Sequence, residues 1–179
     1  FGVDADRIGL LGDSAGGYVV QMAGATNGEK NWDVGDFKEV SSDVQAVVSI
    51  YGISDLTTIG EGIGNENVHA SAAVTEEIGR AFKDFAGASV NADPQKAKAA
   101  SPIGHVDGTE PPFLLMHGSG DKVVSPLQSK KMFEALQNKK VEAEYVLVRG
   151  AGHGDLPWYQ PSVISRVVNF FDRHLKRTE

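Results

Sequence analysis

A chain of 179 residues has room for one domain with a sizeable core, and 41% hydrophobic with 23% charged residues is ordinary for a globular fold. A formal charge of -7 offers no basic face to nucleic acid or an anionic membrane, and no apolar run reads as a membrane span, so a small neutral substrate is the easier partner. With no Cys, disulfides, thiol nucleophiles and thiolate metal sites are excluded while the compartment stays open.

The first predicted element is an apolar strand over 7–11. It runs into Gly12-Asp13-Ser14-Ala15-Gly16-Gly17 and then a helix over 16–25. A serine at the apex of so sharp a turn needs neighbours without bulky side chains, which Gly12, Gly16 and Gly17 provide. The spacing Gly12-x-Ser14-x-Gly16 is that of a nucleophile elbow, which lifts a hydroxyl above the carboxyl end of a sheet. The competing reading is a Gly-rich turn that binds a phosphate or merely packs tightly. Asp13 is expected at the helix start, where a carboxylate suits the dipole.

Three further apolar runs, over 46–51, 112–117 and 143–148, read as buried parallel strands. Helices are expected over 125–137, behind Ser125 as N-cap with Pro126 inside, and over 161–176, with Ser162 near its start. In the latter, Val163, Ile164, Val167, Val168, Phe170, Phe171 and Leu175 make an apolar stripe. Strands alternating with helices imply an α/β fold around a parallel sheet.

The second and third strands stand about sixty residues apart, far more than a crossover needs. Residues 55–72, rich in Gly, Asn and Thr, read as loop. A helix with Ile78, Phe82 and Phe85 on one face is expected over 74–85, and a short one over 93–100, closed by Ser101-Pro102. The chain is expected to form one domain over 1–179, with the insertion 55–108 as a cap over the elbow or, alternatively, packed beside the sheet.

A serine hydroxyl needs a base within hydrogen-bond reach, and the base needs a partner that fixes its tautomer. Asp121 lies in the loop after the third strand and His153 in the loop after the fourth, both on the sheet edge that carries Ser14. The order Ser14, Asp121, His153 suits such a triad on such a sheet. Asp155 is the rival acid, but sits too near His153 in sequence to reach the far side of its ring. His117 reads as a packing or hydrogen-bonding residue rather than the base. His69, His105 and His174 read as structural or solvated, and Trp158 and Tyr159 as pocket wall or core. No cluster has metal-ligand spacing, and no cofactor is called for.

With these motifs the chain resembles the carboxyl-terminal part of an α/β-hydrolase, similar to small esterases and lipases of the hormone-sensitive-lipase-like and feruloyl/acetyl-xylan-esterase-like groups. The matching residues are Gly12 to Gly17, Ser101-Pro102, His117-Gly118 through Asp121, and Gly152-His153-Gly154. The resemblance implies Ser14 as nucleophile, His153 as general base and acid, Asp121 as the orienting carboxylate, and the Ala15 N–H as one oxyanion donor. It also implies additional strands ahead of the one over 7–11 and a His-Gly-Gly type loop carrying further donors, neither of which this sequence contains. The strand over 7–11 would then be left with an apolar edge, to be covered by an amino-terminal segment or an oligomer partner.

The expected chemistry is hydrolysis of a carboxylic ester, short acyl or aryl, with plant cell-wall carbohydrate as one carrier within the resemblance, and with activity falling as His153 is protonated near its ordinary pKa of about 6.5. The alternatives are amide or peptide cleavage by the same triad, and a catalytically incomplete piece that keeps the fold to bind or support.

Overall fold

The structure is a computed structural model that describes residues 2–59, 61–62 and 93–176. Four strands, β1 (Gly9–Asp13), β2 (Ala46–Ile50), β3 (Phe113–Gly118) and β4 (Ala143–Val148), pair in parallel in that spatial order. Among the described residues four α-helices join or flank them: α1 (Ala15–Ala25), α2 (Pro94–Ala99), α3 (Pro126–Asn138) and α4 (Pro161–Leu175).

Successive side chains of a strand point to opposite faces, so the central runs split between two cores. Ala46, Val48, Leu114 and Met116 face Val163, Val167 and Phe170 of α4. Val47, Phe113 and Leu115 face Val20 and Ala25 of α1 and Met132 and Leu136 of α3. β2 and β3 are thus covered on both sides. β1 and β4 are the outer strands among the described residues and only half-buried, contrary to the expectation of four buried strands; Leu11 on β1 is 54% exposed.

β1 also begins two residues later than its apolar run suggests. Arg7 turns back onto Asp4 in an ion pair, and the Ile8 N–H donates to the Gln45 side chain across 2.7 Å, so ladder pairing starts at Gly9 opposite Ala46 and runs through Asp13 opposite Ile50. The expected stripe on α4 is narrower too: Val163, Val167 and Phe170 are buried, whereas Ile164 and Val168, one step round the helix, are half exposed. That helix begins at Pro161 as expected, behind Gln160 as N-cap. Ser125 caps α3 as expected, accepting from the Leu127 N–H.

The helix expected over 74–85, and His69, lie outside the described residues. The described ends of the insertion lie together: the Leu56 N–H donates to Ser101 Oγ (2.9 Å) and the Ile103 N–H to Ser54 O (3.1 Å). Where 55–72 was expected to be loop, Leu56–Thr58 forms one 3₁₀ turn, capped by Asp55. No described helix is long and apolar enough to cross a membrane.

Candidate active site

Ser14 sits between the last residue of β1 and the first of α1 with φ +51°, a conformation that costs a non-glycine residue about 1–3 kcal/mol and persists only when its surroundings enforce it. Two hydrogen bonds enforce it here: the Ser14 N–H donates to Ile50 O on β2 (3.0 Å), and Ser14 O accepts the first helical bond from Tyr18 (3.1 Å). Gly12 makes the turn possible, since a Cβ there would lie 2.3 Å from Gly16 O. Gly16 is different. Nothing stands within 4 Å of where its Cβ would be, so the expected steric need for glycine does not hold at that position. Ala15 opens α1, where helix N–H groups lack intrahelical partners.

Asp121 follows β3, its side chain fully buried. Its Oδ1 accepts from the backbone N–H of Val123 (2.9 Å) and Val124 (3.0 Å), and its Oδ2 from His153 Nδ1 (2.8 Å). Burial works against a charge on this carboxyl, but the hydrogen bonds from His117, His153, Val124 and Val123 outweigh it and hold the group well below the usual carboxylate range. His153 follows β4, and its Nε2 lies 2.9 Å from Ser14 Oγ, so the three residues form one hydrogen-bonded chain across 139 positions of sequence.

The acid and base loops are clamped together. The Ser119 N–H donates to Val148 O (3.0 Å), the Gly120 N–H to Ala151 O (2.9 Å), and the Gly150 N–H to Ser119 Oγ (2.9 Å). From below, the Tyr51 ring packs on the imidazole of His153 at 4.5 Å between centroids and on Trp158 at 4.8 Å. Tyr51 is buried and itself strained, with φ +40°, and its hydroxyl donates to Asp13 Oδ2 (3.1 Å). Burial and the neighbouring Asp13 carboxylate push the phenol's pKa up.

Asp13 is therefore the end of β1 and a partner of Tyr51, not the helix-start residue expected from the sequence. Asp155 accepts from the Gly152 N–H (2.7 Å) and shapes the base loop. Trp158 belongs to the core and ties its indole N–H to Gly152 O, whereas Tyr159 is exposed. His105 meets Ala99 O, and His174 is largely buried against Phe170 rather than solvated. Sequence reasoning missed Tyr51, for which Ile50-Tyr51-Gly52 carries no local signal. Among the described residues no group of three or more His, Asp or Glu side chains could hold a metal ion.

A parallel sheet flanked by helices, with a strained serine on a strand-to-helix turn hydrogen-bonded to a histidine and through it to an aspartate on the loops after later strands, defines an α/β-hydrolase. More narrowly, the chain belongs to the BD-FAE family, whose model matches residues 1–136, a span that contains Ser14 and Asp121 and stops short of His153. It is 30% identical over 155 residues to the esterase LipC of Mycobacterium tuberculosis (strain ATCC 25618 / H37Rv), covering 86% of this chain and 36% of LipC. It is also 30% identical over 157 residues to the isoprenylcysteine alpha-carbonyl methylesterase ICME of Arabidopsis thaliana, covering 87% of this chain and 35% of that protein. A solved truncated form of a carbohydrate esterase from gut microbiota superposes with a TM-score of 0.81 at 27% identity, covering 98% of this chain and 62% of that one. The chain thus spans about a third of the length of these curated relatives, 36% and 35%.

Proposed function

We propose that Ser14, His153 and Asp121 are the nucleophile, base and acid of a carboxylic ester hydrolase, with the Ala15 N–H as one oxyanion donor. The observation that carries this reading is the unbroken pair of hydrogen bonds from Ser14 Oγ through both ring nitrogens of His153 to Asp121. An ionised carboxylate only accepts, so Nδ1 of His153 carries the proton and Nε2 presents its lone pair to the serine hydroxyl. As Ser14 Oγ attacks the ester carbonyl carbon, its proton passes to Nε2. The tetrahedral oxyanion turns toward the first N–H groups of α1, and the C–O bond to the alcohol breaks as Nε2–H protonates the leaving oxygen. Water then attacks the acyl-serine by the same proton path, releasing the acid and restoring Ser14.

The substrate on this reading is a short acyl or aryl ester, carried on cell-wall carbohydrate. Its support is the likeness to a carbohydrate esterase along nearly the whole chain, with relatives named as esterases. For the insertion 55–108 the reading kept is a cap over the elbow, and its support lies at the described ends alone, which are joined to each other and to α1 through the Tyr18 hydroxyl, which donates to Ala100 O (2.8 Å).

Matched 4-nitrophenyl acetate and 4-nitroacetanilide, with acetylated xylo-oligosaccharide as a third substrate, test the reading. It expects ester turnover and acetate release from the oligosaccharide, little anilide cleavage, and loss of all turnover in Ser14→Ala. Equal cleavage of the anilide would move the chain to the amidases, and full turnover by Ser14→Ala would end the reading.

A further inference from the structure

A second imidazole stands directly beneath the acid. His117, in β3, is wholly buried, and its two ring nitrogens meet different chemistry. Nε2 lies 3.0 Å from Val124 O and 3.3 Å from Asp121 Oδ2. Both oxygens accept only, one as a backbone carbonyl and the other as a carboxylate held ionised by its neighbours, so only a ring with its proton on Nε2 suits them. Nδ1 lies 2.7 Å from the buried hydroxyl of Ser129 on α3, a group that is able to donate to it. A neutral ring with Nε2–H therefore satisfies every partner at once.

The consequence falls on Asp121. Its Oδ1 accepts from two backbone N–H groups, and its Oδ2 accepts from His153 Nδ1 at 2.8 Å while also lying 3.3 Å from His117 Nε2, whose closer acceptor is Val124 O at 3.0 Å. The carboxylate cannot rotate without breaking bonds on both oxygens.

We infer that His117 is a positioning residue of the active site: its Nε2–H holds Asp121 Oδ2 in the orientation that meets His153 Nδ1, and Ser129 fixes the tautomer that allows it. This rests on the triad reading above. A ring that served only to bond Val124 O and Ser129 between β3 and α3 would take the same tautomer but would leave the charge facing His153 unaltered. When the Nε2–H is removed, more of the Oδ2 charge faces His153, its protonated form is favoured, and activity is lost at a higher pH on acidification.

The test uses the whole chain labelled with ¹⁵N-histidine, long-range ¹H–¹⁵N correlation spectra from pH 5 to 8, and kcat/KM profiles on an ester. His117→Phe, His117→Gln, Ser129→Ala, Ser14→Ala and His153→Ala are compared with the parent. The expected spectrum at pH 7 has His117 as the Nε2–H tautomer. The acidic limb of kcat/KM moves up by about half a pH unit in His117→Phe and by less in Ser129→Ala, and returns in His117→Gln, whose amide N–H reaches the same oxygen. The loss falls on kcat, about tenfold, with KM within about twofold. A Nδ1–H or doubly protonated His117 at pH 7 overturns the inference even where His117→Phe fails to fold. So does an unmoved acidic limb alongside inactive Ser14→Ala and His153→Ala, and the triad reading then stands. Active Ser14→Ala or His153→Ala overturns both.

Discussion

Gly118 and Ala151 meet backbone to backbone: a Cβ on Gly118 would lie 2.3 Å from Ala151 O. This contact joins the end of β3 to the loop after β4, and through it the residues that carry Asp121 and His153 are held in one rigid arrangement.

Gly118→Ala therefore strikes stability and activity together. Backbone atoms are the obstacle and have no rotamer to yield, so the variant loses about 2 kcal/mol or more in urea unfolding. Its kcat falls at least about tenfold because the His153–Asp121 hydrogen bond is displaced. Gly16→Ala is the contrast. It has open space and gains helix propensity, so it is neutral or stabilising by up to about 1 kcal/mol.

The strain at Ser14 predicts a separation of stability from function. Ser14→Gly relieves a φ of +51° and raises the urea midpoint above that of Ser14→Ala by about 1 kcal/mol of stability, after the flexibility glycine adds to the unfolded chain. Both variants lose about 10⁴- to 10⁶-fold in kcat on an ester. Equal midpoints for the two would show that the turn is not strained.

Asp121 sets a pH dependence of folding. Burial opposes its charge, but hydrogen bonds from His117, His153, Val124 and Val123 hold its folded pKa below the unfolded value of about 3.9. Its contribution to stability is therefore complete above about pH 4 and is lost as pH falls below that, amounting to about 1–3 kcal/mol. Urea unfolding between pH 6 and 2.5 shows a shallower acid slope in Asp121→Asn than in the parent, together with a kcat at neutral pH about 10³- to 10⁴-fold lower.

Much of this arrangement is written locally. The apolar runs of β2 and β3 announce a buried parallel sheet because both faces of those strands are covered, and the chain order of Ser14, Asp121 and His153 follows from the loops at one sheet edge. What escapes the sequence is what distant groups impose. Gln45 captures the Ile8 N–H and delays β1. Tyr51 takes a positive φ because its ring is held between His153 and Trp158 and its hydroxyl by Asp13, three partners from two other segments. The burial of His117 is legible in an apolar strand, but its place against Asp121 depends on how the following loop folds back.

The central claim is that Ser14 is activated by His153. Labelling the native chain with a fluorophosphonate, followed by peptide mass spectrometry, addresses it most directly. The account predicts one adduct, on Ser14, abolished by His153→Ala and unaffected in position by Asp155→Ala. An unmodified Ser14, or an adduct that forms at the same rate without His153, would contradict it.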